Sequence, residues 1–455
     1  MNAPDTSVGH QLAWVRELTE TGRSIGRTEI EEHFAPSYLT QHTHTHVQDL
    51  FRDITACGGL RLDPPEYVYR TFWRGFGSCG ERRLYVGAQI ERDEPHRLTA
   101  LILQDAPNFI EVFASMRGTN ASVADVVSEN VARLAEEITW GGFVIGVVGR
   151  DTQTVFCFGD VAADDVFEIG SVTKTFTATL LADLVARGEV SLTDPVSRYL
   201  PDGLSLPKDS SGREIRFVDL ATHSSGLPHL PPDLKPAEPS DPYADFSLDN
   251  LYATLQRIVI HAIGSTVRYS NLGFALLGHT LALATGTPFA GLVRDRICRP
   301  LGMTESAIDL DDDLVERTAA GHGMAGNPMP LMKRPVFAPS GGMKSTISDI
   351  LRYMRANLDP SPTPLTNSIT ATQRPRVQVG RLTHYGLAWR ITIMPNGDRL
   401  IWHNGQSGGF SASVVLHPAT QTGVALLTNT TSHRLDHCFR IVGALTNEPS
   451  ATGQA

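Results

Sequence analysis

The chain has 455 residues, with 49 acidic against 39 basic side chains, 41% hydrophobic residues and 7% aromatic ones. That composition excludes a disordered polyampholyte and leaves apolar side chains enough for a large core. The net charge of −10 argues against a nucleic-acid binder, which needs concentrated Lys and Arg to neutralise phosphates. At roughly 150 residues per domain, the length suits two or more domains.

The opening twenty residues are helix-like and carry Asp5, Arg16 and Glu17, with no apolar stretch of signal-peptide length. No run of about 18 apolar residues, the length of a bilayer span, occurs anywhere. The five cysteines (57, 79, 157, 298 and 438) are odd in number and widely spaced, without a metal-like or disulfide-framework pattern. These features predict a cytoplasmic protein with reduced thiols and no membrane association.

A polar stretch with His42, His44 and His46 precedes a helical stretch at 47–56. On a strand those three imidazoles would share a face and suit a metal; as a turn leading into the helix they do not, and the turn is the reading adopted. Alternating runs at 66–72, 83–90 and 96–103 predict strands, so helices followed by antiparallel strands make a small α+β domain. Residues 108–119 lack a sustained period and are taken as a linker, dividing the chain into 1–118 and 119–455.

Beyond the linker, Val123, Val126, Val127, Val131, Leu134 and Ala135 recur at helical spacing over 122–137. Apolar strands follow at 143–148 and 154–158, then a long helix from about 170 to 184. The Pro- and Asp-rich stretch 193–242 reads as loop with short helices, and helices are expected at 248–261 and 272–285. Four strands (385–393, 399–403, 409–416 and 422–428) and a helix at 432–445 close the chain. The second domain is therefore α/β, a mixed sheet with a helical insertion.

Three groups of residues carry chemistry. Ser171 and Lys174 stand one turn apart at the head of the long helix, so the amine can reach the hydroxyl. A helix N-terminus favours a developing alkoxide, and burial can lower an amine's pKa enough to make it a base. The same spacing at Ser205 and Lys208 falls in a Pro-rich loop and carries no such meaning. Tyr269-Ser270-Asn271 precedes the helix at 272–285, where a serine or asparagine also serves as an N-cap. His403-Asn404-Gly405 ends a strand and leads into a Gly-rich hairpin that lets another backbone approach. A rival motif, Gly405-Gln-Ser-Gly-Gly409, fits the nucleophile elbow of α/β-hydrolases, but a strand rather than a helix is predicted after it.

Ser-x-x-Lys, then Tyr-Ser-Asn, then a Lys/His-x-Gly triplet, in this order, resembles the serine penicillin-recognising superfamily. The likeness is to class C β-lactamases, D-Ala-D-Ala carboxypeptidases and their esterase and transacylase relatives. Residues 167–176, 220–227, 300–303 and 340–346 agree with it, and it covers about 122–445. It implies a β-lactamase/transpeptidase-like fold, a mixed antiparallel sheet with a helical subdomain. The first hundred residues resemble a nuclear-transport-factor-like, cystatin-like cone, through their texture and the phrase His33-Phe-Ala-Pro-Ser-Tyr38.

The resemblance implies Ser171 as acylated nucleophile, Lys174 as its base and Tyr269 as proton relay. It implies that Asn271 holds Lys174 and the substrate carbonyl, and that His403, Asn404 and Gly405 bind substrate. His403 would supply a hydrogen bond or a charge near Tyr269, and the backbone N–H groups of Ser171 and Gln406 would form the oxyanion hole. Asn404 departs from the hydroxyl usual at that place, which argues against β-lactams or wall peptides as the natural substrate. The expected activity is hydrolysis of a small-molecule ester, amide or lactam. The alternatives are acyl transfer to an amine or alcohol, a β-lactamase, or a non-catalytic scaffold. No metal or organic cofactor is implied.

Overall fold

The computed structural model describes residues 7–63, 67–68, 72–91, 93–105, 109–116, 123–138, 140–238, 241–431 and 434–446. It divides into two compact units, Met1–Glu111 and Val112–Ala455.

In the first unit, helices α1 (Ser7–Thr21), α2 (Arg27–His33), α3 (Pro36–Gln41) and α4 (His44–Ala56) come first. Strands β1 (Arg61–Leu62), β2 (Tyr67–Val68), β3 (Phe72–Cys79), β4 (Arg82–Ile90) and β5 (Leu98–Asp105) follow as one antiparallel sheet. Part of the strand expected over 66–72 lies outside the described residues. The histidine triplet is split between elements: His42 caps α3, while Thr43 caps α4 by accepting from the His46 N–H. The three rings therefore do not share a strand face, and His44 instead meets Glu31 at 3.2 Å. Phe34, Phe51 and Trp73 are buried in this unit's core, with the half-buried Trp14 packed edge-on against Phe34 and Phe51. Contrary to the expectation of five reduced thiols, Cys57 and Cys79 are joined in a disulfide, their Cα atoms 5.5 Å apart.

Part of the expected linker is helix. α5 (Phe109–Met116) forms because Val112 and Phe113 are both buried, the latter ring packing on His417. The division between the units accordingly falls inside this helix, ahead of the one expected at 118. α6 (Val123–Glu137) follows, then β6 (Phe143–Val148), β7 (Gln153–Phe158) and the short β8 (Phe167–Glu168). The helical insertion starts with α7 (Thr173–Ala186), α8 (Phe217–Ala221), α9 (Leu248–Arg257) and α10 (Asn271–Thr285). It continues through α11 (Phe289–Val293), α12 (Asp312–Glu316), the pair β9 (Gly321–His322) and β10 (Pro328–Met329), and α13 (Ala338–Gly341). β11 (Lys344–Ser345) pairs with β8 before α14 (Ile347–Leu358) and α15 (Thr366–Thr372).

The chain then returns to the sheet through β12 (Val377–Gln378), β13 (Thr383–Tyr385), β14 (Arg390–Ile393), β15 (Arg399–Gln406), β16 (Ser411–His417) and β17 (Thr422–Thr428), and ends in α16 (Leu435–Leu445). Eight strands lie in the order β12-β13-β14-β15-β16-β17-β6-β7, each pair antiparallel. The single strand expected over 385–393 is interrupted, since Leu387 and Ala388 donate instead to the carbonyls of Thr372 and Ala221. Every residue of β6, β16 and β17 is buried, the serines and threonines of β16 and β17 included, so none of the three shows a polar-out alternation. Successive side chains of β15 alternate between faces. Trp402 packs on Phe439 of α16, while Gly405 meets the backbone ahead of α7 on the other face. The β15 end and the α7 start are thus fixed against each other.

Candidate active site

Ser171 sits in a 3₁₀ turn, Gly170–Val172, that leads directly into α7. Two glycines bring β15 against this turn. A Cβ on Gly405 would run into the Ile169 carbonyl and lie 2.8 Å from Ser171 N. One on Gly170, whose φ is +48°, would run into the Gln406 backbone nitrogen. The Ser407 N–H bonds the Phe410 carbonyl across the hairpin, so the Gln406 N–H faces the opposite edge of β15. On that edge β14 stops pairing at Trp402. Two backbone donors, from Ser171 and Gln406, therefore stand free of the sheet beside one another.

Lys174 is fully buried on the first turn of α7. Its Nζ lies 3.0 Å from Ser171 Oγ, 2.7 Å from Asn271 Oδ1 and 2.5 Å from the Ser340 carbonyl oxygen. Burial, and then the Arg334 guanidinium, hold this amine well below its ordinary range. A neutral amine has two protons. Asn271 Oδ1 and Ser340 O can only accept, so they take both, and the lone pair is left to face the Ser171 hydroxyl. Nζ also lies 4.8 Å from the centre of the Tyr269 ring and 5.6 Å from that of Phe274.

The Tyr269-Ser270-Asn271 segment is held by a neighbouring loop. Ser270 caps α10 by accepting from the Gly273 N–H, and its hydroxyl donates to the Pro228 carbonyl at 2.6 Å. The N–H groups of Asn271 and Leu272 both donate to the His229 carbonyl. The role of this stretch as a helix start and its place beside Lys174 are thus compatible.

His403 is fully buried, and its Nδ1–H donates to the Asn404 carbonyl at 2.7 Å. Burial, with Lys174 and Arg390 adding to it, pushes its pKa down to about 3. Of the two roles expected, hydrogen bond or charge, this imidazole keeps only the first, since it is neutral throughout the ordinary pH range. Asn404 is half-buried, and among the described residues its amide makes no hydrogen bond.

The rivals fall away. Ser407 lies in a strand-to-strand connection with no helix after it, so the elbow geometry is absent. Lys208 pairs with Glu214 at 3.5 Å instead of Ser205. Residues that the motif reading missed are Ser340, whose carbonyl takes a Lys174 proton, and Arg334, whose charge bears on the same amine. The phrase at 340–346 was the only signal for the first; an isolated Arg offers none.

The family model for beta-lactamase matches residues 127–442. A beta-lactamase of Pseudomonas fluorescens is 28% identical over 348 residues, covering 68% of this chain and 93% of that protein. The D-alanyl-D-alanine-carboxypeptidase/endopeptidase AmpH of Escherichia coli K12 is 30% identical over 325 residues, 66% of this chain and 83% of the relative. Unguisins hydrolase ungD' of Aspergillus campestris is 26% identical over 293 residues, 60% of this chain and 54% of the relative. With that breadth of match, the chain belongs to the beta-lactamase family and is a serine hydrolase that works through an acyl-enzyme.

Proposed function

We propose that the protein hydrolyses a small-molecule ester or amide through an acyl group carried on Ser171. The observation that carries this reading is Lys174 Nζ at 3.0 Å from Ser171 Oγ with two obligate acceptors as its other neighbours. As Oγ attacks the carbonyl carbon, its proton passes to the Lys174 lone pair, and the carbonyl oxygen becomes an oxyanion between the N–H groups of Ser171 and Gln406. Collapse of the tetrahedral adduct breaks the bond to the leaving group, which takes a proton by way of Tyr269 and Lys174. Water then attacks the acyl carbon and loses a proton to the same pair, which returns it to Ser171 Oγ as the bond to the acyl group breaks and the acid leaves. Asn271 fixes Lys174 throughout, and neutral His403 keeps a hydrogen-bond role beside Tyr269.

The relatives are named for β-lactams, for D-alanyl-D-alanine peptides and for unguisins, so the acyl donor differs between members. Asn404 offers an amide, with a reach and geometry unlike those of a hydroxyl, and this favours esters over donors that need carboxylate capture. A panel of aryl esters and β-lactams, followed by turnover and intact mass, tests the proposal. Ester turnover should exceed benzylpenicillin turnover, with one adduct on the peptide containing Ser171. An adduct on Ser407 would remove Ser171 as nucleophile, and fast penicillin turnover would remove the argument from Asn404.

A further inference from the structure

We propose that His223 is the positioning residue of this site, holding Tyr269 in place from both sides and across its face; the inference rests on the proton-relay role given to Tyr269. His223 follows α8 directly after its cap, Thr222, and is fully buried. Three contacts converge on it. Its carbonyl accepts from the Arg268 N–H at 2.7 Å, and its Nδ1 accepts from the Ser270 N–H at 3.0 Å. Between those two residues, the Tyr269 ring lies over the imidazole with centroids 4.4 Å apart and planes inclined by 32°. One residue thus binds the backbone on each side of the tyrosine and packs on its ring.

The bond to Ser270 decides the chemistry required. A backbone N–H only donates, so Nδ1 must be bare and the proton must sit on Nε2. Burial keeps the imidazole in this neutral state, well below its ordinary pKa, with Lys174 as the next contributor. Phe274 and Tyr385 enclose the ring further, at 4.9 and 5.1 Å between centroids. An apolar ring of the same size could pack there but could not accept the Ser270 N–H.

The backbone supports a selected residue. His223 has φ +58°, the left-handed region that usually follows a helix on a glycine or asparagine. A histidine there is strained, and strain persists where its surroundings over-determine it, commonly beside a functional group. Glycine would relieve the strain and lose both the Nδ1 acceptor and the stacked ring. Apart from its own N–H, which donates back to the Leu220 carbonyl, the hydrogen bonds and ring contacts of this residue go to the Tyr269 segment and to the rings around it.

The test is a set of variants of the full chain, measured for kcat and KM on one aryl ester. His223→Asn keeps an acceptor near the Nδ1 position, whereas His223→Phe keeps the ring and loses the acceptor. His223→Phe should lower kcat at least about tenfold, as a displaced catalytic group does, with KM changed less than about twofold. His223→Asn should restore kcat to within about threefold of the parent. In a Tyr269→Phe background, adding His223→Phe should cost less than about a further twofold, because the residue acts through the tyrosine. Equal losses in both backgrounds, or an Asn variant no better than the Phe one, would overturn the inference alone. Near-normal activity of Tyr269→Phe by itself would overturn the relay reading and this inference with it. Should His223→Phe fail to fold by circular dichroism, His223→Gln, whose amide reaches to the Nε2 end, takes its place with the same expectations.

Discussion

Substituting alanine for Gly405 would test whether the approach of β15 to the Ser171 turn makes the oxyanion hole. The new Cβ would meet the Ile169 carbonyl and stand 2.8 Å from Ser171 N and 2.9 Å from Val172 N. Ordinary carbon contacts are about 3.5–4.0 Å, so strand and turn must separate by at least about 0.7 Å. All three obstacles are backbone atoms, and no flexible side chain can give way. The retreat pulls the Gln406 N–H from the position it shares with the Ser171 N–H. Removing one such donor costs about 10²–10³ in kcat, and misplacement by about 1 Å costs about 10². Overpacking a buried contact also costs about 1–3 kcal/mol of stability, which leaves a domain of this size able to fold. Steady-state kinetics on an aryl ester should therefore show kcat down by about 10²-fold, in a protein whose circular dichroism is unchanged. A kcat within about threefold of the parent would refute the reasoning, because the hole would then not depend on this approach.

Lys174→Ala and Tyr269→Phe should each cut turnover by about 10² or more, and the double variant should lose far less than the product, since both serve one proton path. For His403, the unfolded state gains a proton below its ordinary pKa of about 6.5 while the native imidazole stays neutral down to about 3. The stability that this group contributes is thus complete above about pH 6.5 and falls as pH drops through that window. The gap in unfolding free energy between the parent and His403→Gln should shrink by about 2 kcal/mol from pH 7 to pH 5, measured by urea unfolding, and a gap constant with pH would contradict a buried neutral imidazole. A chain shortened to begin at Asn108 keeps α5 on the second unit and should still acquire one acyl adduct on Ser171; a folded product that cannot be acylated would show that the first unit contributes to the site.

The sheet and the long helices were legible because their periods run over enough residues to be read. β6 is an unbroken apolar run, β16 and β17 carry apolar stretches at 414–416 and 424–427, and α10 is preceded by its own cap, Ser270. What escaped depends on distant partners. α5 is only eight residues long, too short for a period to stand out, and it is held by Phe113 against His417. The break between β13 and β14 comes from carbonyls at Ala221 and Thr372, residues that nothing in 385–393 can point to. The Cys57–Cys79 pairing spans 22 residues without a spacing that distinguishes it from chance.

The site divides in the same way, and the division has a physical reason. Ser171 and Lys174 are one helical turn apart, so their contact follows from local geometry and is readable from spacing alone. The state of that lysine is not local. Its hydrogen bonds go to Asn271, 97 residues on, and to a carbonyl 166 residues on, and the charge that bears on it is Arg334. A carbonyl acceptor leaves no trace in residue type, because every residue has one. Motif order could therefore name Tyr269 and Asn271 as partners, yet it could not say whether the amine is an ammonium that only donates or a base that accepts. The three oxygens around Nζ would suit an ammonium as well as an amine, and the distinction is made by burial and then by the Arg334 guanidinium, which lower the pKa of the amine. It decides which way the serine proton moves, and hence whether the same four side chains form a nucleophile or only a buried polar cluster.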